Sequence, residues 1–202
     1  MRWGAGVAVL WLGMGFGSAA WCQEAAVGRE APDFTLPDAN GQPHSLAEFR
    51  GRFVVLEWVN PECPFVGKHY GSGTMQRLQR TYTDRGVIWL SIDSSAPGKQ
   101  GHLTPEQAKA FIQANAASPT ALLLDPDGQV GRRYSAKTTP HMFVINPSGL
   151  LIYAGAIDDI PSTDPADVTA ATNYVAKALD EAMTGEPVSV AETKPYGCSV
   201  KY

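Results

Sequence analysis

The longest apolar runs of the chain predict the strands of a buried β-sheet. Residues 53–59 read Phe-Val-Val-Leu-Glu-Trp-Val, and residues 87–92 read Val-Ile-Trp-Leu-Ser-Ile. Nearly continuous apolar runs of this length are typical of strands that are covered on both faces. A third strand is predicted at 121–124, and an Asn-Pro-Ser-Gly turn joins the apolar segments 142–145 and 150–154 into a hairpin.

Between these strands the apolar period lengthens to that of amphipathic helices. Residues 64–82 predict a helix that is kinked at the Gly-Ser-Gly sequence of residues 71–73. Its inward face is formed by five residues: Val66, Tyr70, Met75, Leu78 and Tyr82. A second helix is predicted from a Thr104-Pro105 start to Asn115, and a last long helix from Asp164 or Asp167 to about Met183.

The order of these elements is strand, helix, strand, helix, strand, hairpin, helix. This order predicts an α/β fold in which a central mixed β-sheet is flanked by helices on both faces. With 202 residues, of which 44% are apolar, the chain has the size of one domain, which we place at residues 23–186. Residues 187–202 have no helical period but carry two tyrosines, so we expect this C-terminal tail to pack on the domain.

The first 22 residues have the pattern of a secretory signal peptide. Arg2 precedes an apolar run over residues 7–16, and Gly-Ser-Ala-Ala at 17–20 offers a cleavage site. We therefore expect export, to the periplasm in a bacterium, and a mature chain without an integral membrane domain. The run is short and glycine-rich, which disfavours an uncleaved anchor, and Trp21 before Cys22 disfavours lipid attachment.

Charge and cysteine content narrow the function classes. The chain has 16 basic and 20 acidic residues and no basic cluster, so we expect no nucleic-acid partner. Its three cysteines, Cys22, Cys63 and Cys198, are too few for a disulfide-stapled scaffold and favour redox chemistry or one crosslink. Neither a cofactor nor a resident metal is expected.

Cys63 lies between a predicted buried strand and a predicted helix. Pro64 suits the first helical position, which places Cys63 at the helix N-terminus. The unpaired amides and the positive dipole end at such a position stabilise a thiolate and lower the pKa of the thiol. A buried, inert cysteine is the alternative that position alone leaves open.

Four segments match, in order, those of a known family. They are residues 31–36 (Ala-Pro-Asp-Phe-Thr-Leu), 51–56 (Gly-Arg-Phe-Val-Val-Leu), 124–128 (Leu-Asp-Pro-Asp-Gly) and 139–149. The chain resembles, over about residues 27–186, the thioredoxin-like family that includes alkyl hydroperoxide reductase, thiol-specific antioxidant proteins and the thioredoxins of cytochrome c maturation. The resemblance implies a thioredoxin-like fold and a thiol-based oxidoreductase with antioxidant-type activity, and it aligns Cys63 with the nucleophilic cysteine.

The resemblance also implies roles for three other residues. Thr139-Pro140 matches the cis-proline turn that faces the active cysteine, where the backbone of the preceding residue pairs with a bound substrate chain. Glu57, six residues before Cys63, matches a buried carboxylate that relays protons to the cysteine, since burial raises a carboxyl pKa toward neutrality. A Glu57 side chain that reaches solvent or pairs with Lys68 is the alternative.

Several positions depart from the family pattern. Val66 stands where thioredoxins have their second cysteine, so Cys63 lacks the usual local disulfide partner. Leu56 and Asn60 stand where peroxiredoxins have a proline and a threonine or serine, and Pro140 is nearest to the position of their arginine. A complete peroxiredoxin triad is therefore absent from the sequence.

Other charged or polar side chains are candidates to assist Cys63. Arg132 and Arg133 could replace the missing arginine, with surface charge as the alternative. His69 and His141 could stabilise a Cys63 thiolate or bind a soft metal with it, with surface or satisfied core roles as the alternative.

Cys198 is the candidate partner of Cys63. It lies in the apolar and aromatic tail, and we expect the tail to bring it to Cys63 as the resolving thiol. A static structural bridge between the two, or a bridge from Cys22 to Cys198, is the alternative.

The function that these expectations favour is an exported thiol oxidoreductase. Cys63 attacks a peroxide, a protein disulfide or a small-molecule disulfide, Cys198 or another thiol resolves the product, and an external thiol supplies electrons. A thioredoxin-like copper chaperone and a non-catalytic binding module are the alternatives.

Overall fold

The computed structural model describes residue 1 and residues 24–202. The predicted signal peptide, its cleavage site and Cys22 lie outside the described residues. In the part of the chain that is described, no helix has the length and apolar character that a membrane crossing requires.

A small hairpin precedes the main sheet. Strand β1 (Thr35–Pro37) pairs antiparallel with β2 (Pro43–Ser45), as the Asn-Gly turn between them predicts. Ser45 then begins a 3-10 helix, Leu46–Phe49, through a capping box with Glu48.

The central sheet of the described chain has five strands in the order β5-β4-β3-β7-β8. They are β3 (Val54–Trp58), β4 (Ile88–Asp93), β5 (Ala121–Leu124), β7 (His141–Ile145) and β8 (Leu151–Gly155), and a short strand β6 (Thr138–Thr139) lies outside this sheet. Strands β3, β4 and β5 are parallel, whereas β7 and β8 are antiparallel to their neighbours. The predicted mixed sheet is confirmed.

Five α-helices of the described residues accompany this sheet. They are α1 (Pro64–Gly71), α2 (Thr74–Thr83), α3 (Pro105–Ala114), α4 (Gln129–Arg133) and α5 (Tyr174–Met183). The predicted kink between α1 and α2 is a complete break, because Gly73 adopts a left-handed conformation with φ of 73°. Thr104 begins α3 with a capping box to Gln107, as the sequence predicts.

Both faces of the sheet are buried. Leu56 and Trp58 of β3 pack in a cluster with the N-terminal hairpin, the first 3-10 helix and α4. Val55, on the opposite face, packs in a cluster with residues of α1, α2 and α5. Cys63 belongs to this second cluster, and Glu57 points to the same side because side chains alternate along a strand.

The position of the last helix is a correction to the sequence-based prediction. Helix α5 begins at Tyr174 with Asn173 as its cap, and not at Asp164 or Asp167. Asp164 instead caps a separate 3-10 helix, Pro165–Thr169. Asp164 and Asn173 are both favourable N-cap residues, so the sequence pattern alone does not show which of them begins α5. Helix α4 was not predicted, because it has five residues and follows Gly128 without a side-chain cap.

The tail, residues 187–202, runs in an extended conformation over the domain. Glu192 bridges to Ala154 of β8, and β9 (Cys198–Ser199) pairs antiparallel with β6. An extended course of this kind explains why the tail sequence has no helical period.

Candidate active site

Cys63 lies where β3 leads into α1. It is the N-cap residue of α1, with Pro64 in the first helical turn and with no side chain capping the helix. The Cys63 carbonyl accepts the first helical hydrogen bond, from the Gly67 amide at 2.9 Å. The Val66 amide lowers the pKa of the Cys63 thiol. The free amides of the first turn therefore face the thiol, which favours its ionised form.

The turn before β7 covers the same sulfur. The Thr139–Pro140 peptide bond is cis, as the resemblance implied. The Cys63 thiol donates a hydrogen bond to the Thr139 carbonyl at 2.9 Å. The Thr139 hydroxyl also faces the sulfur but forms no hydrogen bond of normal geometry within the described residues. Cys63 is only 1% exposed.

Cys198 reaches this place through the tail. In the pairing of β6 with β9, Cys198 lies opposite Thr139. Gly197 permits the close approach, because its φ is 136° and a Cβ there would lie 2.1 Å from the Thr139 carbonyl oxygen. Cys63 and Cys198 are both free thiols in this structure, and each shifts the pKa of the other.

The two thiols differ in acidity. Burial by itself would raise the pKa of Cys63, but the Cys198 thiol, Thr139 and the amides of Val66 and Cys198 outweigh burial and lower that pKa. Burial, together with the hydrogen bond to Cys63 and the negative charge of Cys63, raises the pKa of Cys198 to about 11. Cys63 is therefore the more acidic thiol of the pair, and Cys198 is the one that holds its proton more tightly.

The end of the tail is held by Tyr202. A Cβ added at Gly128 or Gly131 would lie 2.4 Å or 2.6 Å from the Tyr202 side chain, so both glycines make room for this ring. The Arg132 guanidinium lies 4.6 Å from the ring centroid, and the Tyr202 hydroxyl donates to the Ala136 carbonyl at 2.8 Å. These contacts fix the tail beyond Cys198.

Glu57 is a fully buried carboxyl on the Cys63 side of the sheet. It accepts hydrogen bonds from four side chains, namely Tyr70 (2.9 Å), Trp89 (2.8 Å), Ser91 (2.8 Å) and Gln79 (3.3 Å). Burial raises the pKa of Glu57 despite these donors. The alternative that Glu57 reaches solvent or pairs with Lys68 is wrong, because Lys68 pairs with Asp158 at 3.4 Å. The proton relay from Glu57 to Cys63 stays a prediction.

His69 belongs to a buried cluster that holds the tail, and it does not contact the Cys63 sulfur. Its Nε2 lies 3.3 Å from the Tyr196 hydroxyl and 3.8 Å from the Asp158 carboxylate. Burial lowers the pKa of His69 to about 4, so the imidazole is neutral near pH 7. Tyr196 and Asp158 were missed from the sequence, although an aromatic residue two positions before Cys198 was a signal available there.

The other side chains that the sequence suggested as helpers of Cys63 make contacts with other groups. His141 accepts a hydrogen bond from the Lys137 amide at 3.2 Å, and burial lowers its pKa to about 3. Arg133 donates to the Asp33 carbonyl at 2.6 Å, and Arg132 stacks on the tail. Within residues 24–202, no group of three or more His, Cys, Asp or Glu side chains is arranged to hold a metal ion.

The positions that depart from the peroxiredoxin pattern have structural roles. Leu56 is buried in the apolar cluster on the face opposite Cys63. The Asn60 side chain ties two loops together, since it accepts from the Glu62 amide at 2.8 Å and donates to the Gln100 carbonyl at 3.1 Å. Neither side chain replaces the missing hydroxyl.

Known proteins of similar sequence or structure include two kinds of thiol enzyme. The chain is 27% identical over 127 residues to a thiol-disulfide oxidoreductase ResA from Bacillus thuringiensis, covering 62% of this chain and 67% of that protein. It is 28% identical over 151 residues to "Putative peroxiredoxin Rv2521" of Mycobacterium tuberculosis, covering 74% and 90%. The crystal structure of hypothetical protein SMc02350 from Sinorhizobium meliloti superimposes with a TM-score of 0.74, at 25% identity, over 89% of this chain and 96% of that one.

These similarities confirm the predicted thioredoxin-like fold and the prediction of a thiol-based oxidoreductase. The model of the AhpC/TSA family matches residues 27–154, which is more than half of the chain. The chain belongs to the AhpC/TSA family.

Proposed function

We propose that the protein is an exported thiol–disulfide oxidoreductase whose redox pair is Cys63 and Cys198. The proposal rests on one observation: the tail brings Cys198 to Cys63, and the pKa values of the two thiols are shifted in opposite directions. The pKa of Cys63 is lowered and that of Cys198 is raised to about 11, each partly through the other. In two-step disulfide exchange the more acidic thiol supplies the attacking thiolate and the less acidic thiol resolves the mixed disulfide.

The reaction proceeds in two exchanges. The Cys63 thiolate attacks one sulfur of a substrate disulfide, forms a mixed disulfide and releases the other substrate half as a thiolate. Cys198 then loses its proton and attacks the Cys63 sulfur, which forms the Cys63–Cys198 disulfide and releases the second half as a thiol that takes up that proton. The pair gives the substrate two electrons and one proton, and the first half, released as a thiolate, takes its proton from solvent. An external dithiol returns the pair to its reduced form by the reverse steps.

Access to Cys63 divides the substrates into two classes. The backbone of Thr139, where thioredoxin-like folds pair with a bound substrate chain, is occupied by the tail at Cys198. A polypeptide substrate must therefore displace β9, whereas a small disulfide needs only the sulfur to be uncovered. Once the tail moves, the amides at the start of α1 still favour the Cys63 thiolate for both classes.

Peroxide reduction is the second candidate. Similarity to the Mycobacterium tuberculosis protein over 90% of its length favours it. Cys63 would attack the peroxide to give a sulfenic acid and an alcohol or water, and Cys198 would displace water from that sulfenic acid to form the same disulfide. Leu56 and Asn60 stand where peroxiredoxins place a proline and a hydroxyl, so we expect this reaction to be slower than disulfide exchange.

Export is proposed from the sequence pattern of residues 1–22, and a Cys63–Cys198 disulfide, once formed, would persist outside the cytoplasm. Fractionation of expressing bacteria, followed by mass measurement of the mature chain, tests this proposal. A chain found in the cytoplasm with residues 1–22 intact would contradict it.

The test of the redox function uses the reduced full chain and its Cys63→Ser, Cys198→Ser and Cys22→Ser variants. Each is mixed with oxidised glutathione in one set and with hydrogen peroxide in another, and the loss of free thiol is followed over time. We expect fast loss of two thiols with glutathione disulfide in wild type and Cys22→Ser, and background loss in Cys63→Ser. Faster oxidation by peroxide reverses the order of the two candidates, and equal rates in Cys63→Ser and wild type contradict both.

A further inference from the structure

Cys63 lies at the N-terminus of helix α1, and other side chains of the same helix contact the C-terminal tail. Tyr196, two residues before Cys198, contacts the side chains of residues two, five and six positions after Cys63. The Phe65 ring meets the Tyr196 ring edge-on with centroids 5.7 Å apart. The Lys68 ammonium lies 5.8 Å from the centroid of the same ring.

The Tyr196 hydroxyl completes a buried polar cluster. It donates a hydrogen bond to one oxygen of Asp158, whose side chain is 3% exposed, and lies 3.3 Å from His69 Nε2. The other Asp158 oxygen pairs with Lys68 at 3.4 Å, and the fully buried Lys68 also donates to the Ile160 carbonyl at 2.8 Å. Burial and the neighbouring carboxylate raise the pKa of Tyr196 well above its ordinary value, so the hydroxyl remains a donor.

This arrangement ties the tail to the redox pair by geometry. The Ile160 amide donates to the same Asp158 oxygen as Tyr196, at 3.1 Å, and Tyr196 supplies its second donor only when the tail is docked. A buried carboxylate is stabilised by each added donor, so Asp158 favours the docked tail. We call the site where Tyr196 packs, formed by Phe65, Lys68 and His69 of α1 together with Asp158, the seat. Because the three α1 residues and Cys63 belong to one short helix, the distance between the seat and Cys63 is fixed. Seating Tyr196 therefore also places Cys198, two residues further on, against Thr139 and the Cys63 sulfur.

We infer that Tyr196 is a positioning residue of the redox pair, seated on Phe65, Lys68, His69 and Asp158, which holds Cys198 at Cys63 and covers Cys63 in the reduced protein. The inference rests on the proposed function, because it assigns to Tyr196 the task of keeping the effective concentration of the Cys198 thiol at Cys63 high. Tyr196 does not touch the sulfur and acts through the tail.

The test compares wild type with Tyr196→Phe, which keeps the ring but removes the donor to Asp158. Tyr174→Phe is the matched control, because Tyr174 lines the same cleft of about 340 Å³ but makes none of these contacts to Asp158 or His69. A chain that ends at Pro195 gives the limit of an uncovered Cys63. Alkylation of the reduced full chain with iodoacetamide is followed on the Cys63 peptide by mass spectrometry as a function of pH.

For Tyr196→Phe we expect the plateau rate of Cys63 alkylation to rise about tenfold, the size of effect of one lost hydrogen bond to a charged group. Its pH midpoint should move up, because the Cys198 thiol and amide withdraw from the sulfur. In glutathione buffers the equilibrium constant of the Cys63–Cys198 disulfide should fall by a similar factor. Tyr174→Phe should match wild type in all three measurements.

Two results would overturn the inference. One is a Tyr196→Phe protein whose alkylation rate, midpoint and disulfide equilibrium equal those of wild type, and the other is the same shifts in Tyr174→Phe. If Tyr196→Phe does not fold, Tyr196→Leu, which still fills part of the seat, is measured in the same way. A wild-type chain that forms no Cys63–Cys198 disulfide contradicts the proposed function instead, while the alkylation profiles still decide the role of Tyr196.

Discussion

Cys63 and Cys198 meet at one point but are placed there by different kinds of structure. Cys63 is set by its neighbours in sequence, since it lies between β3 and α1 with Pro64 next to it. Cys198 is set by contacts with residues far away in sequence, namely the Thr139 backbone and the seat of Tyr196. Cys63 is part of the central scaffold of the domain. Cys198 is carried by the C-terminal tail, residues 187–202, which lies across the domain as a strap.

This difference teaches where the chemistry can be tuned. The amides of a helix N-terminus act on Cys63 whenever the domain is folded. The Cys198 thiol and amide act on Cys63 only while the tail is docked, so part of the lowered pKa of Cys63 depends on tail contacts. Weakening the tail should change the redox pair while it leaves the fold of the domain intact.

The largest expected effect separates the two contributions. Cys198→Ala removes the thiol that lowers the pKa of Cys63, so the proposed disulfide cannot form and the pKa of Cys63 rises. We expect the pKa to rise by about one to two, because hydrogen bonds to charged groups are worth about 1.5–3 kcal/mol. The pH profile of Cys63 alkylation measures it. Cys198→Ser keeps a hydroxyl donor and should show a smaller shift, and an equal shift in the two variants would contradict this reason.

A second change displaces the strap without touching either thiol. Gly197→Ala places a methyl group against the Thr139 carbonyl at a φ that side chains rarely adopt, which costs the docked tail about 1–3 kcal/mol. The Cys63–Cys198 equilibrium constant in glutathione buffers should fall accordingly. Gly185→Ala is the control, since Gly185 has φ of 84° but open space around it. A loss in the control as large as in Gly197→Ala would show that strain alone, and not contact with Thr139, is responsible.

The scaffold side of the comparison is tested at Glu57. Glu57→Gln replaces an acceptor of four hydrogen bonds with an amide that also presents donors, and we expect the free energy of unfolding to fall by about 1–3 kcal/mol at low pH. Because the folded-state pKa of Glu57 is raised, its contribution to stability is present at low pH and is lost as pH rises above about 4.5. The variant lacks this loss.

Urea unfolding of wild type and Glu57→Gln between about pH 4 and pH 7 measures this effect. The deficit of the variant should shrink as the pH rises. A deficit that grows with pH would mean that Glu57 is stabilised as the carboxylate, against the direction given by its burial.

The smallest effect is expected at the far end of the strap. Tyr202→Phe loses the hydrogen bond to the Ala136 carbonyl but keeps the ring on Gly128 and Gly131, so the docked tail should weaken by about 0.5–1.5 kcal/mol. Hydrogen exchange at the Val200 amide, which donates to the Lys137 carbonyl, reports this change. Exchange that is slower than in wild type would contradict it.

The scaffold could be read from the sequence because its signals are local. The apolar runs of β3 and β4, the break at Gly73 and the Thr104 cap each act within a few residues, and Cys63 inherits its position from them. The cis peptide bond before Pro140 followed from the family resemblance. The predicted start of α5 was wrong, because Asp164 and Asn173 both cap helical turns and the sequence does not show which one begins the long helix.

The strap could be anticipated only in outline. That the tail would pack on the domain followed from its aromatic residues, but the register of Cys198 with Thr139 depends on a pairing across about sixty residues. The contacts of Asp158 with Lys68 and Tyr196 join a loop, a helix and the tail, and none of them leaves a periodic trace. Contacts of this kind are fixed by the assembled fold and not by local pattern.

The most direct measurement is the identity of the disulfide that forms when the full chain is equilibrated with glutathione redox buffer. Digestion without reduction, followed by mass spectrometry, identifies the linked peptides. We predict a link between the peptides of Cys63 and Cys198 in wild type and in Cys22→Ser, and no such link in Cys63→Ser or Cys198→Ser. A link from Cys22 to Cys198 in wild type, or separate glutathione adducts on Cys63 and Cys198 without a link between them, would contradict the pairing.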